Sequence, residues 1–275
     1  QKNEVELQKE ILEERNKEIT DSINYARRLQ DAILPSRESI DHKFPNNFVL
    51  YLPKDIVAGD FYWMESIGDT TFLAAADCTG HGVPGAMVSV VCANALNKAT
   101  VELGLTDPGK ILDKTRELVI QHFDKGEQEV KDGMDIALCV WDKNKNTLEY
   151  AGANNSLYIL RNIEHITSDQ KNDRKTQFDK KEEKAIVEYK ADKQPVGAYI
   201  GDLLPFTSKT IPLFEGDTLI SFTDGFPDQF GGVKGKKFKY RPFKELFLNH
   251  NDSLTNQCKK LENQFEQWRG DMEQT

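Results

Sequence analysis

The stretch TFLAAADCTGHGVPGAMVSVV, residues 71–91, decides the fold. It begins as a run of short apolar residues with strand character and ends that run on a carboxylate, Asp77. It then turns through Gly80, Gly82 and Gly85 into a helix whose first turn holds Pro84 and which is expected to reach about Gly104. Proline suits that position because its missing N–H has no intrahelical partner there, and glycines let a backbone approach a ligand closely. Free N–H groups at such a helix start favour an anion.

The same handover from apolar strand to glycine-bearing turn occurs twice more, at Asp60 in VAGDFYW (57–63) and at Asp224 in LISFTDGF (219–226). An aspartate before glycine is ordinary turn chemistry when it stands alone. At the end of a buried strand, however, a carboxylate costs several kcal/mol of desolvation unless something positive meets it. No basic residue lies near Asp77 or Asp224 in the sequence. Oxygen ligands on rigid strand ends are what Mg²⁺ and Mn²⁺ take, so carboxylates converging on divalent ions are the first reading.

Working outward, Thr71 to Ala76, Ile136 to Trp141, Leu148 to Ala151, Ser156 to Leu160 and Leu219 to Thr223 read as strands. WDKNKNTLEY (141–150) and YAGANNSLYIL (150–160) both read as strand, turn, strand, which makes neighbouring strands antiparallel. Asp107 and Pro108 cap a helix reaching about Phe123, and Ser253 opens an amphipathic one that stops at Gly270. The elements give an α+β sandwich. TSDQKNDRKTQFDKKEEK (167–184) is almost wholly polar and is expected to be a mobile surface loop.

Residues 1–34 are helical in pattern, with Val5, Leu12, Ile19, Ala26 and Ile33 at intervals of seven. The companion seam, Gln8, Arg15, Ser22 and Leu29, is poor. Two readings stay open: a weak coiled coil that makes a homodimer, or a solvated helix lying on its own domain. The expected division is a helical linker over 1–36 and a catalytic domain over 37–275.

The formal charge of −9, from 45 acidic against 36 basic residues, argues against nucleic acid and anionic membranes as main partners. Four cysteines, Cys78, Cys92, Cys139 and Cys258, lack C-x-x-C spacing, which points to a reducing cytoplasm. No apolar run approaches the roughly 20 residues that span a bilayer. The chain opens without Met, as a fragment of something longer would.

VAGDFYW, DCTGHGVPGAM, DGMDIALCVWD, YAGANNSLYIL and FEGDTLISFTDGFPDQFGG, in this order, resemble the successive motifs of the SpoIIE-like (RsbU-like) branch of the metal-dependent protein phosphatase (PPM) superfamily. The resemblance covers roughly residues 37–270 and implies a four-layer αββα sandwich of two antiparallel sheets flanked by helices. It implies a protein serine/threonine phosphatase in bacterial signalling, using two divalent ions, Mn²⁺ or Mg²⁺, and an activated water. Asp77 matches the acid bridging both ions, Cys78 would offer its backbone carbonyl, Asp224 matches the second metal-binding acid, and Asp60 helps hold the ions. Asp132 and Asp135 fall in a family motif without an assigned role. The AGANN segment departs from the commoner AGHN pattern, with Ala153 where a His is usual and Asn154 retained.

His81 reads either as a turn-stabilising residue or as an acid for the leaving group. The implied substrate is a phosphorylated protein, commonly a STAS-type anti-sigma-factor antagonist. The implied setting is the cytoplasmic output of a sensor, membrane-attached or otherwise, that lies upstream. The family's final D-D or D-N pair and its strand are not found before Thr275, so the domain is expected to be truncated and weak in its second ion. That feature favours the alternative function, a pseudophosphatase serving as a phosphoprotein-binding or dimerisation switch. A histidine kinase would need a phosphoacceptor His in the linker, and residues 1–34 contain none.

Overall fold

A computed structural model describes residues 2–124, 132–174, 176–179, 183–248 and 253–275. The chain opens with α1 (Lys2–Asp31) and α2 (Arg37–Lys43), then the hairpin β1 (Phe61–Ile67) and β2 (Thr70–Cys78). Two long helices follow, α3 (Gly82–Asn97) and α4 (Pro108–Phe123), and then β3 (Gly133–Asp142), β4 (Thr147–Ala153) and β5 (Leu157–Asn162). Short elements come next: α5 (Ser168–Asn172), β6 (Gln177–Asp179), β7 (Lys184–Tyr189), β8 (Val196–Gly197), β9 (Lys209–Pro212) and β10 (Thr218–Ile220). After α6 (Gly225–Asp228) and the ribbon β11 (Phe230–Gly231) and β12 (Lys236–Lys237), the chain ends in α7 (Tyr240–Leu248) and α8 (Leu254–Arg269).

Helix starts follow the side-chain chemistry read from the sequence. The Asp107 carboxylate accepts from Lys110 N at 2.8 Å with Pro108 in the first turn, and the Ser253 hydroxyl accepts from Asn256 N. The α3 helix continues through a π-turn, Lys98–Glu102, to the expected stop at Gly104.

One antiparallel sheet has the order β1-β2-β3-β4-β9, with β8 also pairing with β3, and a second has the order β10-β5-β7-β6. Phe72, Ile136 and Leu138 of the first sheet pack outward on Val88, Leu96, Ile111 and Leu112 of α3 and α4. Between the sheets lie Cys139, Leu148 and Tyr150 from one side and Leu157 and Ile159 from the other. The outer face of the second sheet, with Tyr158 and Ile186, meets Phe243 and Phe247 of α7 and Leu261 of α8. The result is the four-layer αββα sandwich.

Four local expectations need correction. Asp60 does not end a strand: the residues before it form none, and it stands directly ahead of β1. YAGANNSLYIL is not a hairpin: β4 and β5 belong to different sheets. The joining segment is held elsewhere, with Asn154 in the left-handed region at φ 55°, its N–H bonded to Asp192 O, and Asp192 N–H bonded to Gly152 O. The strand expected over Leu219 to Thr223 ends at Ile220, so Asp224 stands at the start of α6. Within 167–184 the described residues form α5 with a Thr167–Gln170 capping box and the edge strand β6; Lys175 and residues 180–182 lie outside the described residues. A sheet edge tolerates polar residues on a strand too hydrophilic for a core position.

The far end of α1 docks on the domain. Ile33 and Leu34 pack against the first core, and Gln30 is buried. At the other terminus, Gln229 Nε2 donates to Glu273 O at 2.9 Å and Gln274 Nε2 to Leu52 O at 2.6 Å, so the last residues run beside the segment leading to Asp60.

Candidate metal centre

The β-ladder itself assembles the site. Asp77 pairs directly with Asp135 between β2 and β3. Phe61 pairs with Ala76 and directly follows Asp60, so extending that register by one residue sets Asp60 opposite Asp77. Ile136 pairs with Ala153, which sets Asn154 beyond Asp135 in the same way. Residues opposite one another in an antiparallel pair project to the same face with Cβ atoms about 4.5–5.5 Å apart. Asp60, Asp77, Asp135 and Asn154 therefore form a single rung. The alternation along β2 buries Ala76 and Cys78 under α3 and sends Asp77 toward the opposite sheet, from which Asp224 enters at the start of α6.

The carboxylates act on one another strongly. Burial first, then the charges of Asp60 and Asp224, with hydrogen bonds to both, push the Asp77 carboxyl up to about 9. Burial also raises Asp60, against the bond it accepts from Thr223 Oγ1 at 2.6 Å, and Asp224 adds to the rise. Asp135 is raised by burial too, while the 2.8 Å bond from Asn154 Nδ2 and the charge of Lys193 oppose it. Burial and like charge thus disfavour the ionised form of Asp77, and among the described residues no cation is paired with it. Among the described residues no three metal-binding side chains close into a ready-made cage; the contacts run pairwise through Asp77. The donors are all hard oxygens, four carboxylates with the Cys78 carbonyl nearby, and they suit Mg²⁺ or Mn²⁺. Supplying positive charge to these crowded carboxylates is what a divalent cation would do here.

Backbone packing holds this geometry. A Cβ on Gly59 would lie 2.5 Å from Gly80 O and 3.0 Å from Cys78 O, and one on Gly85 would also collide with Gly80 O. The loop before Asp60, the turn after Asp77 and the start of α3 therefore touch backbone to backbone. Tyr51 adds a bond from its hydroxyl to Asp60 O at 3.0 Å. His81 sits outside this packing, its side chain 74% exposed and its Nδ1 2.9 Å from Asp55 Oδ2. Asp132 precedes β3, with its backbone against Gly197.

Gln30 was not legible in the sequence as part of this site. Its Nε2 donates to Ala58 O at 2.6 Å and to Ser89 Oγ at 2.9 Å, and its Oε1 accepts from Ala58 N at 3.0 Å. One side chain from α1 thus holds both backbone groups of a residue two positions before Asp60, and ties them to α3.

The SpoIIE family model, stage II sporulation protein E, matches residues 67–275. The chain belongs to the SpoIIE family. Asp77, Asp135 and Asp224 lie within the matched region, and Asp60 lies before it. Among solved structures, the SiaA-PP2C domain of Pseudomonas aeruginosa is 28% identical with a TM-score of 0.77, the match covering 94% of each chain. The PP2C phosphatase domain of Bacillus subtilis SpoIIE with a fragment of its regulatory domain is 16% identical (TM-score 0.57), covering 79% of this chain and 56% of that one. A Mycobacterium tuberculosis protein with RsbU and RsbW domains is 18% identical (TM-score 0.56), covering 79% and 52%. These two share the fold, and the chain spans about half of each. No curated protein matches. The family and fold are those of PP2C-type phosphatase domains.

Proposed function

We propose that the chain is a metal-dependent protein serine/threonine phosphatase of bacterial signalling. The observation that carries this is the rung Asp60, Asp77 and Asp135, faced by Asp224 from the second sheet. Bound divalent ions would supply an activated water and neutralise phosphoryl oxygens. The chain's own residues have simpler tasks. Asp77, with Asp60 and Asp224 on either side, would hold the ions. Asn154 orients Asp135 through one carboxylate oxygen and leaves the other free. Thr223 fixes the rotamer of Asp60. The substrate class is a phosphoserine or phosphothreonine on a regulatory partner, the STAS-type antagonist being the kind the family resemblance implies. Four unpaired cysteines support a reducing, cytoplasmic setting beneath an upstream sensor.

The test is hydrolysis of p-nitrophenyl phosphate with and without Mn²⁺. Asp77→Asn and Asp224→Asn should each cost more than tenfold in rate, about 1.4 kcal/mol or more of barrier. Either variant keeping over about a tenth of native rate at saturating Mn²⁺ removes that residue from the ligand set.

A second reading is a phosphoprotein-binding switch without turnover. Tight phosphoprotein binding with no Mn²⁺-dependent hydrolysis would select it. In either case we propose that α1 pairs with a second copy, because Val5, Leu12 and Ile19 of its seven-residue seam are exposed. Sedimentation should show a concentration-dependent dimer lost on deleting residues 1–36; a monomer in both proteins defeats the pairing.

A further inference from the structure

Next to Asp224 the chain carries a feature that the metal centre does not use. Residues 234–241, KGKKFKYR, hold five basic residues in eight positions, in a chain of net charge −9. They run from the turn after β11 through β12 to the start of α7. Lys234, Lys236, Lys237, Lys239 and Arg241 are all exposed. Lys237 meets Asp228 at 2.7 Å and Arg241 meets Glu245 at 3.4 Å. Lys234, Lys236 and Lys239 have no carboxylate partner among the described residues, although acidic residues outnumber basic ones 45 to 36. An ordinary solvated charge run in such a chain would be interspersed with acids.

The ribbon is also rigidly placed. Gly231 packs against Trp268 so closely that no side chain fits there, and Gly232 N donates to Trp268 O at 2.7 Å. Trp268 Nε1 donates to Gln229 O at 3.0 Å, and Phe238 N donates to the same carbonyl at 3.0 Å. Both ends of the ribbon are thus pinned to α8, with Val233 fully exposed at the tip. Its position is tied to the centre as well: Lys237 bonds to Asp228, four residues past Asp224, and the Asp224 charge acts on it.

We propose that this basic ribbon is a docking arm for the protein substrate, gripping an acidic segment that flanks the phosphorylated residue. The assignment of the phosphoryl group to the metal centre rests on the phosphatase reading; the arm's preference for acidic polypeptide does not. Net negative charge repels an anionic polymer as a whole. A local cation cluster beside a buried carboxylate site suits a short acidic stretch presented with its phosphate, and the bare carboxylates of an Asp- or Glu-rich flank match point-charge lysines.

The test uses Lys234→Gln, Lys236→Gln and Lys239→Gln together in the full chain. Two probes are compared, p-nitrophenyl phosphate and a phosphoserine peptide flanked by Asp and Glu. The ratio of kcat/KM for the peptide to that for p-nitrophenyl phosphate should fall about tenfold, as three screened charge contacts of ordinary surface strength would give. A ratio within about twofold of native overturns the proposal. Peptide binding in EDTA, followed by fluorescence anisotropy, gives a readout free of turnover: native protein should bind about tenfold tighter than the variant, with the advantage shrinking as salt rises. Equal binding overturns the arm even if both proteins hydrolyse p-nitrophenyl phosphate. Binding that differs as expected in a native protein without hydrolysis upholds the arm and refutes the phosphatase reading. Tighter binding of a single-stranded oligonucleotide of equal charge than of the peptide overturns the assignment to acidic protein.

Discussion

Replacing Gln30 with Leu tests whether the N-terminal helix helps hold the candidate centre. The side chain is 4% exposed and makes three hydrogen bonds, two of them to the N–H and C=O of Ala58. Leucine fills a similar volume and makes none, so two buried backbone groups lose their partners. At about 1–3 kcal/mol for each orphaned group, and with Ser89 Oγ keeping its bond to Ala86 O at 2.8 Å, the loss comes to roughly 3 kcal/mol. For a domain of this size, about 2–4 °C per kcal/mol gives a fall in Tm on the order of 6–12 °C. Gln30→Glu keeps an acceptor for Ala58 N but sets a buried carboxylate oxygen against Ala58 O, and at neutral pH should cost at least as much as Leu. Because Ala58 lies two residues before Asp60, both variants should also raise the Mn²⁺ concentration for half-maximal hydrolysis of p-nitrophenyl phosphate. Scanning calorimetry and a metal titration measure the two effects. A Leu variant within about 2 °C of native, with unchanged Mn²⁺ dependence, would refute the clamp.

Two further outcomes follow from buried charge. Asp77 has a folded-state value of about 9 against an ordinary 3.8, and Asp60 and Asp135 move the same way. The folded state then keeps protons that the unfolded state releases, so without divalent cations stability should fall as pH rises from about 4 to about 9. Asp77→Asn should flatten that slope in a metal-free melting series, and a slope identical to native would show that Asp77 is not its source. Arg161 and Asp217, 2% and 5% exposed, are joined by bonds from Arg161 Nε to Oδ1 at 2.9 Å and from Nη2 to Oδ2 at 2.6 Å. Asp217→Ala leaves the guanidinium buried with only the Pro212 carbonyl and the Phe214 ring, and should cost about 3–5 kcal/mol in urea unfolding. A cost below about 1 kcal/mol would mean water reaches the pair.

Asp77 was legible because it ends a local apolar run, and the desolvation argument needs only the neighbouring residues; Asp60 and Asp224 were read on the same argument, yet Asp60 stands just before β1 and Asp224 four residues past β10, at the start of α6. Asp135 stands in a motif as plain as theirs, yet its place depends on the register of β3 against β2, two strands separated in sequence by α3 and α4. A one-residue slip would turn Asp135 to the helix side and Ile136 inward. The burial of Ile136 beneath α3 and α4 is what forbids the slip, and that is a tertiary fact. YAGANNSLYIL failed for a related reason. Alternating apolar strands around an Asn-Asn turn look the same whether the second strand returns beside the first or crosses to the facing sheet. The deciding bonds go to Asp192, almost forty residues downstream.

Gln30 shows how the two open readings of residues 1–34 fit one helix. Of the seam positions, Val5, Leu12 and Ile19 are 66%, 62% and 57% exposed, while Ala26 and Ile33 are half-buried. The same stripe is therefore free over its first part and docked over its last. An α-helix of 30 residues is about 45 Å long and stiff on that scale, so a shift imposed on the free part is carried to the docked part rather than absorbed between them. At the docked end the bonds to Ala58 and Ser89 either move with the helix or break. The glycine contacts among Gly59, Gly80 and Gly85 leave little slack for moving. Pairing or unpairing of the free part would then act on the backbone two residues from Asp60 with no contact to the carboxylates themselves. Proteins with Gln30→Leu should accordingly lose any dependence of Mn²⁺ affinity on dimerisation, while a dependence that survives the substitution would place the coupling elsewhere.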